Sequence, residues 1–327
     1  MQNRQVICRE FGLPENLLIE ESNIPSPEKG EVLVKVLAAG VGYVDSLMVQ
    51  GLYQVKPPLP YYPGSEFAGE VIQVGGAVNN IKSGDLVMGM WRGAYTDHMT
   101  VPSSECTVIP DSLSVEVAGG FYTNYSTALF GLRDCGNLEA GENVLILGAS
   151  GGVGSSAITV AKAMGANVIA GASSPEKLEL ASSAGADETI LYSKEGWRTE
   201  LKALLGNESL TMVYDPVGGD LAEPAFRSLA PGGRFLVVGF ASGTIPSIPL
   251  NLALLKQSSI VGVDWGGAMR SDPSLTPTLQ KTLLDWIDSG RLKPAKVSTR
   301  PLSEIREALS DQISGKVIGK LVLEGNK

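Results

Sequence analysis

Histidine and cysteine are scarce in this chain of 327 residues: one histidine, His98, and three cysteines, Cys8, Cys106 and Cys135. The cysteines are scattered without C-x-x-C spacing, which excludes a zinc ribbon or a dithiol motif. Being odd in number, they cannot all pair within the chain, and a reducing, cytoplasmic setting is expected. Basic charge is short as well. Lys and Arg number 26 against 35 Asp and Glu, a net charge of −9, and no long basic run occurs. That balance argues against nucleic acid or an anionic membrane as the main partner. No uninterrupted apolar span reaches membrane length. The opening residues, MQNRQVICREFG, lack the apolar core of a signal peptide. With 43% hydrophobic and 19% charged residues, the composition is that of a globular chain, long enough for two domains.

Glycine is plentiful, and its most telling cluster follows an apolar run: residues 144–154 read VLILGASGGVG. Val144 to Leu147 are expected to form a strand buried on both faces. Gly148, Gly151, Gly152 and Gly154 follow, and Ser155 to Met164 carries apolar residues at helical spacing. Strand, glycine turn and helix is the layout of a dinucleotide fold. Glycine lets the backbone approach a pyrophosphate, and the helix start offers unpaired N–H groups and a positive dipole end. The spacing Ala149, Gly151, Gly154 is G-x-G-x-x-G with alanine first. Ala149, Ser150, Gly151, Gly152, Val153 and Gly154 are therefore the expected phosphate turn; a plain connecting turn is the alternative.

The first third is rich in β-type residues, Gly and Pro, with short strands at Val32–Val36, Phe67–Val74 and Asp85–Gly89. It reads as a barrel-like antiparallel domain. From about residue 121, strand and helix alternate, with strands expected at 144–147, 167–171, 189–192, 212–215, 234–239 and 259–263 and helices at 176–184 and 221–229. Such alternation means a parallel, doubly wound sheet. Two amphipathic helices, LQKTLLDWIDSG and SEIREALSDQIS, precede a last strand, Gly319–Leu323, which could return to the first domain.

This order of motifs resembles the medium-chain dehydrogenase/reductase superfamily, and within it the zinc-independent quinone oxidoreductases of the zeta-crystallin type. The stretches that carry the likeness are GVGYVDSLMVQGLY ending at Tyr53, PPLPYYPGSEFAGEV (57–71), IKSGDLV (81–87), GASGGVG (148–154), VYDPVGG (213–219), PGGRFLVVGF (231–240) and GKLVL (319–323). The resemblance implies an α/β chain: a GroES-like β-rich catalytic domain at 1–122 and 267–327, and a Rossmann NADPH-binding domain at 123–266. Zinc-dependent relatives place a cysteine where this chain has Tyr43 and a histidine where it has Ser65. Neither replacement is a usual zinc ligand, and the four-cysteine lobe of those enzymes is missing. His98 reads as a partly buried strand residue. No metal is expected, so the site suits hydride delivery to an acceptor that is already electrophilic.

By the same resemblance, Thr127 in Ser126-Thr127-Ala128 contacts the nicotinamide; otherwise it caps or lines a helix. Val217, Gly239, Phe240, Val263 and Trp265 lie at strand ends, where ligands of doubly wound sheets sit. Trp265 either covers the cofactor or packs. Tyr43 and Tyr53 are the acceptor-side candidates; an aromatic ring stacks on a flat quinone and its hydroxyl donates to a carbonyl oxygen. Tyr53 as loop packing is the alternative. No carboxylate ends the second strand, NVIAGASSPEK, so NADPH is expected over NADH. The resemblance implies Lys177 and Tyr192 for its 2′-phosphate, with the Ser173 hydroxyl beside them and, from the tail, Lys316 as further candidates. The expected activity is reduction of a quinone. An enone or enoyl double-bond reductase is the alternative, and a non-enzymatic nucleotide-binding module a third reading. The apolar segment Ser258–Val263 is expected to be a sheet edge that is covered or paired, and the resemblance implies that it pairs in a homodimer.

Overall fold

A computed structural model describes residues 2–325. The chain divides into two units, residues 1–123 with 296–327 and residues 124–295.

In the first unit, strands β1 (Gln2–Ile7) and β2 (Leu18–Asn23) pair with each other. The main sheet is built on the eleven-residue β3 (Glu31–Val41). It pairs antiparallel with β4 (Phe67–Val74) and β6 (His98–Pro102), and β4 pairs with β5 (Leu86–Gly89), which pairs with β7 (Cys106–Val108). Register shifts between Leu33 and Val34 and between Val36 and Ala38 bend β3 so that it can serve several partners. Alternate side chains, among them Val32, Val34, Phe67, Val71 and Val101, are fully buried. Each such burial contributes about 1.5–3 kcal/mol. The expected antiparallel β-rich domain is therefore present.

The second unit contributes β8 (Asn143–Ile146), β9 (Asn167–Ala172), β10 (Glu188–Leu191), β11 (Leu210–Asp215), β12 (Arg234–Val237) and β13 (Ser259–Gly262). They form one parallel sheet in the order β10-β9-β8-β11-β12-β13. Numbered within the unit this is 3-2-1-4-5-6, the doubly wound order with a switch point between β8 and β11. Val144, Leu145, Ile146, Val213, Tyr214 and Leu236 are fully buried, as continuous apolar strands covered on both faces should be.

The chain then returns to the first unit. β14 (Val297–Pro301) runs parallel to β15 (Lys320–Glu324), and β15 pairs antiparallel with β3, Leu321 opposite Val41. The return begins at Lys296, later than the 267 read from the sequence. The helix Leu275–Asp288 is the reason. Its apolar face, Leu279, Leu283 and Ile287, is buried within the second unit, where Arg291 also donates to the Ala163 carbonyl at 2.6 Å. Among the described residues, no helix is long and apolar enough to cross a membrane.

Candidate active site

The expected phosphate turn lies where β8 ends. Gly148 has a left-handed φ of +57°, and Gly151 N–H closes the turn on the Gly148 carbonyl at 3.0 Å. The helix Gly152–Ala163 begins directly after, and its N-cap Gly151 supplies no side-chain cap. Its first N–H groups are thus left for a ligand. A Cβ on Gly151 would meet only the Gly148 oxygen, at 3.5 Å, so the space before the helix start is open. A Cβ on Gly154 would collide with that same oxygen; the helix packs on the turn because this side is bare. Ala149 and Ser150 are buried, whereas Gly151, Gly152 and Val153 are partly exposed. Open space, bare N–H groups and a positive helix end fit a pyrophosphate.

Ser173, Lys177 and Tyr192 are brought together at the ends of neighbouring strands. Ser174 caps the helix Pro175–Ser183 by accepting from Lys177 N–H at 3.4 Å. One turn of helix then carries Lys177 Nζ back to Ser173 Oγ, 3.4 Å away. Tyr192, just past β10, hydrogen-bonds Ser173; burial pushes its phenol above the usual range, and the charge of Asp215 adds to that. Lys316 belongs to the first unit, with Nζ 3.8 Å from Asp311 Oδ1.

Beyond β11 and β12, Val217 and Phe240 lie on adjoining loops. The Val217 Cγ2 sits 2.8 Å from where a Gly148 Cβ would be. Gly239 follows β12, its N–H directed to the Asp215 carbonyl at 3.3 Å. Val263 N–H donates to Val237 O at 2.9 Å. Trp265 begins the helix Trp265–Ser271, capped by Asp264. It is 4% exposed and its ring lies 5.5 Å from that of Phe130, so of its two readings packing has a visible partner. Thr127 is partly exposed inside the helix Tyr122–Leu129, not at its start.

In the first unit Tyr43 opens the helix Tyr43–Val49, and Tyr53 lies in the irregular stretch after it; both are partly exposed. The same unit holds a buried polar network that the sequence reading missed. Asp45, 2% exposed, accepts from Gly42 N–H at 2.9 Å and from Ser65 Oγ at 3.1 Å. Burial holds its carboxyl above the usual range, with Glu66 adding to the effect and Lys320, Gly42 N–H and Tyr95 opposing it. Glu66, also 2% exposed, accepts from Lys320 Nζ at 2.6 Å and from Thr123 N–H at 2.9 Å. Of the two residues that replace zinc ligands by the resemblance, Tyr43 and Ser65, the second is thus engaged with the Asp45 carboxylate, and Glu66 beside it is paired with the Lys320 ammonium. Among the described residues, no three His, Cys, Asp or Glu side chains gather in a group that could hold a metal ion. The spacing Gly42-x-x-Asp45 and a lysine inside the apolar GKLVL were the available signals. His98 lies in β6, partly exposed, its imidazole held below the usual range by burial.

Known proteins agree with this architecture. The GroES-like domain of alcohol dehydrogenases matches residues 28–128, and the zinc-binding dehydrogenase family matches residues 152–288. Quinone oxidoreductase-like protein 2 of Bos taurus is 36% identical, over 98% of this chain and 92% of its own length. The Escherichia coli quinone oxidoreductase complexed with NADPH superposes with a TM-score of 0.86 at 28% identity, covering 98% of this chain and 99% of that one. The CurK enoyl reductase superposes with a TM-score of 0.88 at 26% identity, covering 100% of both chains. Alike in sequence along nearly its whole length and in the fold of both units, the chain belongs to the quinone oxidoreductase family of medium-chain dehydrogenases/reductases.

Proposed function

We propose that this oxidoreductase is a zinc-independent, NADPH-dependent reductase of quinones. The observation that carries the cofactor is the trio Ser173, Lys177 and Tyr192 at the strand ends, where an NAD enzyme would present a carboxylate. Lys177 and the two hydroxyls suit a 2′-phosphate, and the uncapped start of the helix Gly152–Ala163 suits the pyrophosphate. The relative from Escherichia coli holds NADPH in its structure. When bound, NADPH supplies the hydride. Thr127 is assigned to the nicotinamide side. Tyr43 and Tyr53 are assigned to the acceptor, stacking on a flat ring and donating to its carbonyl oxygen, which stabilises charge as it develops there. Zinc independence is supported by the engaged state of Ser65, Asp45 and Glu66. Three free thiols fit a reducing compartment such as the cytoplasm.

The likeness to the CurK enoyl reductase favours a second reading, reduction of a double bond conjugated to a carbonyl. Steady-state oxidation of NADPH with a panel of quinones, enones and enoyl thioesters decides between them. Quinones turning over fastest supports the proposal. Preference for an enoyl thioester overturns it in favour of the second reading, and turnover of none leaves a non-enzymatic nucleotide-binding module. One zinc per chain in active protein would contradict zinc independence.

We further propose a homodimer. β13 is the sheet edge, and its Ile260 is 42% exposed. The helix Leu250–Lys256, just before it, exposes Leu250, Leu254 and Leu255 at 76–78%. A bare edge beside exposed leucines is an aggregation hazard unless a second copy covers it.

A further inference from the structure

Asp215 closes β11 and is 2% exposed. Its carboxylate turns back on its own loop, where Oδ1 accepts from Val217 N–H at 2.8 Å and from Gly218 N–H at 2.9 Å. Burial raises its carboxyl above the usual range while these two donors favour the charged form. Bonds to a charged acceptor are the strong kind, and here they hold a backbone that needs holding: Gly218 and Gly219 both have left-handed φ, +68° and +60°.

The loop is then laced to the one after β12. Val238 N–H donates to the Asp215 carbonyl at 2.9 Å, Ala241 N–H to Pro216 O at 3.0 Å, Ser242 N–H to Val217 O at 2.9 Å, and Gly219 N–H to Thr244 O at 3.0 Å. Three expected cofactor positions, Val217, Gly239 and Phe240, stand on these two segments. The lacing also sets how Val217 lies against the bare face of Gly148 in the phosphate turn. In a doubly wound sheet each half serves one end of a dinucleotide. β8 to β10 carry the phosphate turn and the Ser173 trio, so the β11 and β12 ends are left for the nicotinamide half.

We infer that Asp215 is a positioning residue, whose carboxylate fixes the laced loops 216–219 and 238–244 in the shape that receives the nicotinamide half of NADPH. The inference rests on the cofactor reading above. It also separates two ligands. NADPH needs both halves of the sheet, whereas adenosine 2′,5′-bisphosphate needs only the β8 to β10 half, the trio for its 2′-phosphate and the glycine turn for its 5′-phosphate.

Isothermal titration calorimetry of both ligands against wild type, Asp215→Asn and Asp215→Ala, with thermal unfolding of each, tests it. Asp215→Ala is expected to weaken NADPH about tenfold, as one buried and one part-buried N–H group lose their acceptor. Asp215→Asn keeps an acceptor of the same shape without the charge and is expected to weaken NADPH about threefold. Both should leave the bisphosphate within about twofold of wild type. If Asp215→Ala does not fold, the near-isosteric Asp215→Asn carries the test. Equal weakening of both ligands overturns the inference and leaves Asp215 a structural cap; so does an unchanged NADPH affinity in Asp215→Asn. Wild type that binds neither ligand would sink the cofactor reading itself.

Discussion

Replacing Lys177 by alanine should separate two cofactors that differ by one phosphate. NADPH and NADH share every group except the phosphate on the adenosine 2′-oxygen, so a residue that touches only that phosphate changes one affinity and spares the other. Lys177 Nζ stands 3.4 Å from Ser173 Oγ, and Ser173 is bonded to Tyr192 in turn. A phosphate set against Ser173 is therefore within reach of the ammonium. A hydrogen bond to a charged group contributes about 1.5–3 kcal/mol. Lys177 is partly exposed, and solvent screens such a contact, so the lower end applies: about 1.5 kcal/mol, or about tenfold in affinity. Tyr192→Phe removes a single hydroxyl worth about 1 kcal/mol and should weaken NADPH about fivefold. The salt bridge also dictates a salt dependence. The advantage of NADPH over NADH should shrink as ionic strength rises in wild type and stay nearly flat in Lys177→Ala. Dissociation constants for both cofactors at two salt concentrations check all three statements. The reasoning fails if Lys177→Ala loses both cofactors equally, or if wild type uses NADH as well as NADPH.

Three further outcomes are expected. Lys320→Met should cost about 3–5 kcal/mol in urea unfolding, because it strands a buried Glu66, and adding Glu66→Gln should recover part of the loss; a single variant as stable as wild type would refute the pairing's role. Arg4 forks onto Asp97 with two bonds of 2.9 Å; burial pushes the Asp97 carboxyl up, but the bonds to Arg4 outweigh it and hold the group below the usual carboxylate range. Its folded value being depressed, the pair stabilises the fold above the unfolded value of about 3.9 and ceases to as pH falls through the lower folded value, so Arg4→Met should be less stable than wild type at neutral pH and converge with it in acid, a gap independent of pH counting against this. Light scattering should return a dimer mass for wild type at micromolar concentration and a monomer mass for Leu254→Asp with Ile260→Asp, and a monomeric wild type would end the edge-pairing proposal.

What could be read from the sequence and what could not divide along one physical line, the distance over which a residue's environment is decided. The glycine turn is local: an apolar run, a turn and a helix within VLILGASGGVG and its continuation, and strand, turn and helix form there. Ser173, Lys177 and Tyr192 were named together through the resemblance, and they meet because the parallel neighbours β9 and β10 end side by side. The return boundary was not legible. The helices Leu275–Asp288 and Ile305–Ile313 are both amphipathic, and an apolar stripe says that a helix is covered, not by which unit. Tertiary packing alone decided that the first belongs to the dinucleotide unit. The Glu66–Lys320 pair is the limiting case, its partners 254 residues apart. A lysine inside GKLVL, in a strand whose neighbours are buried, does carry information, because a buried ammonium cannot stand without an acid. The sequence poses that demand. Only the pairing of β15 with β3, and of β3 with the strand that Glu66 precedes, says which of 35 acidic residues meets it.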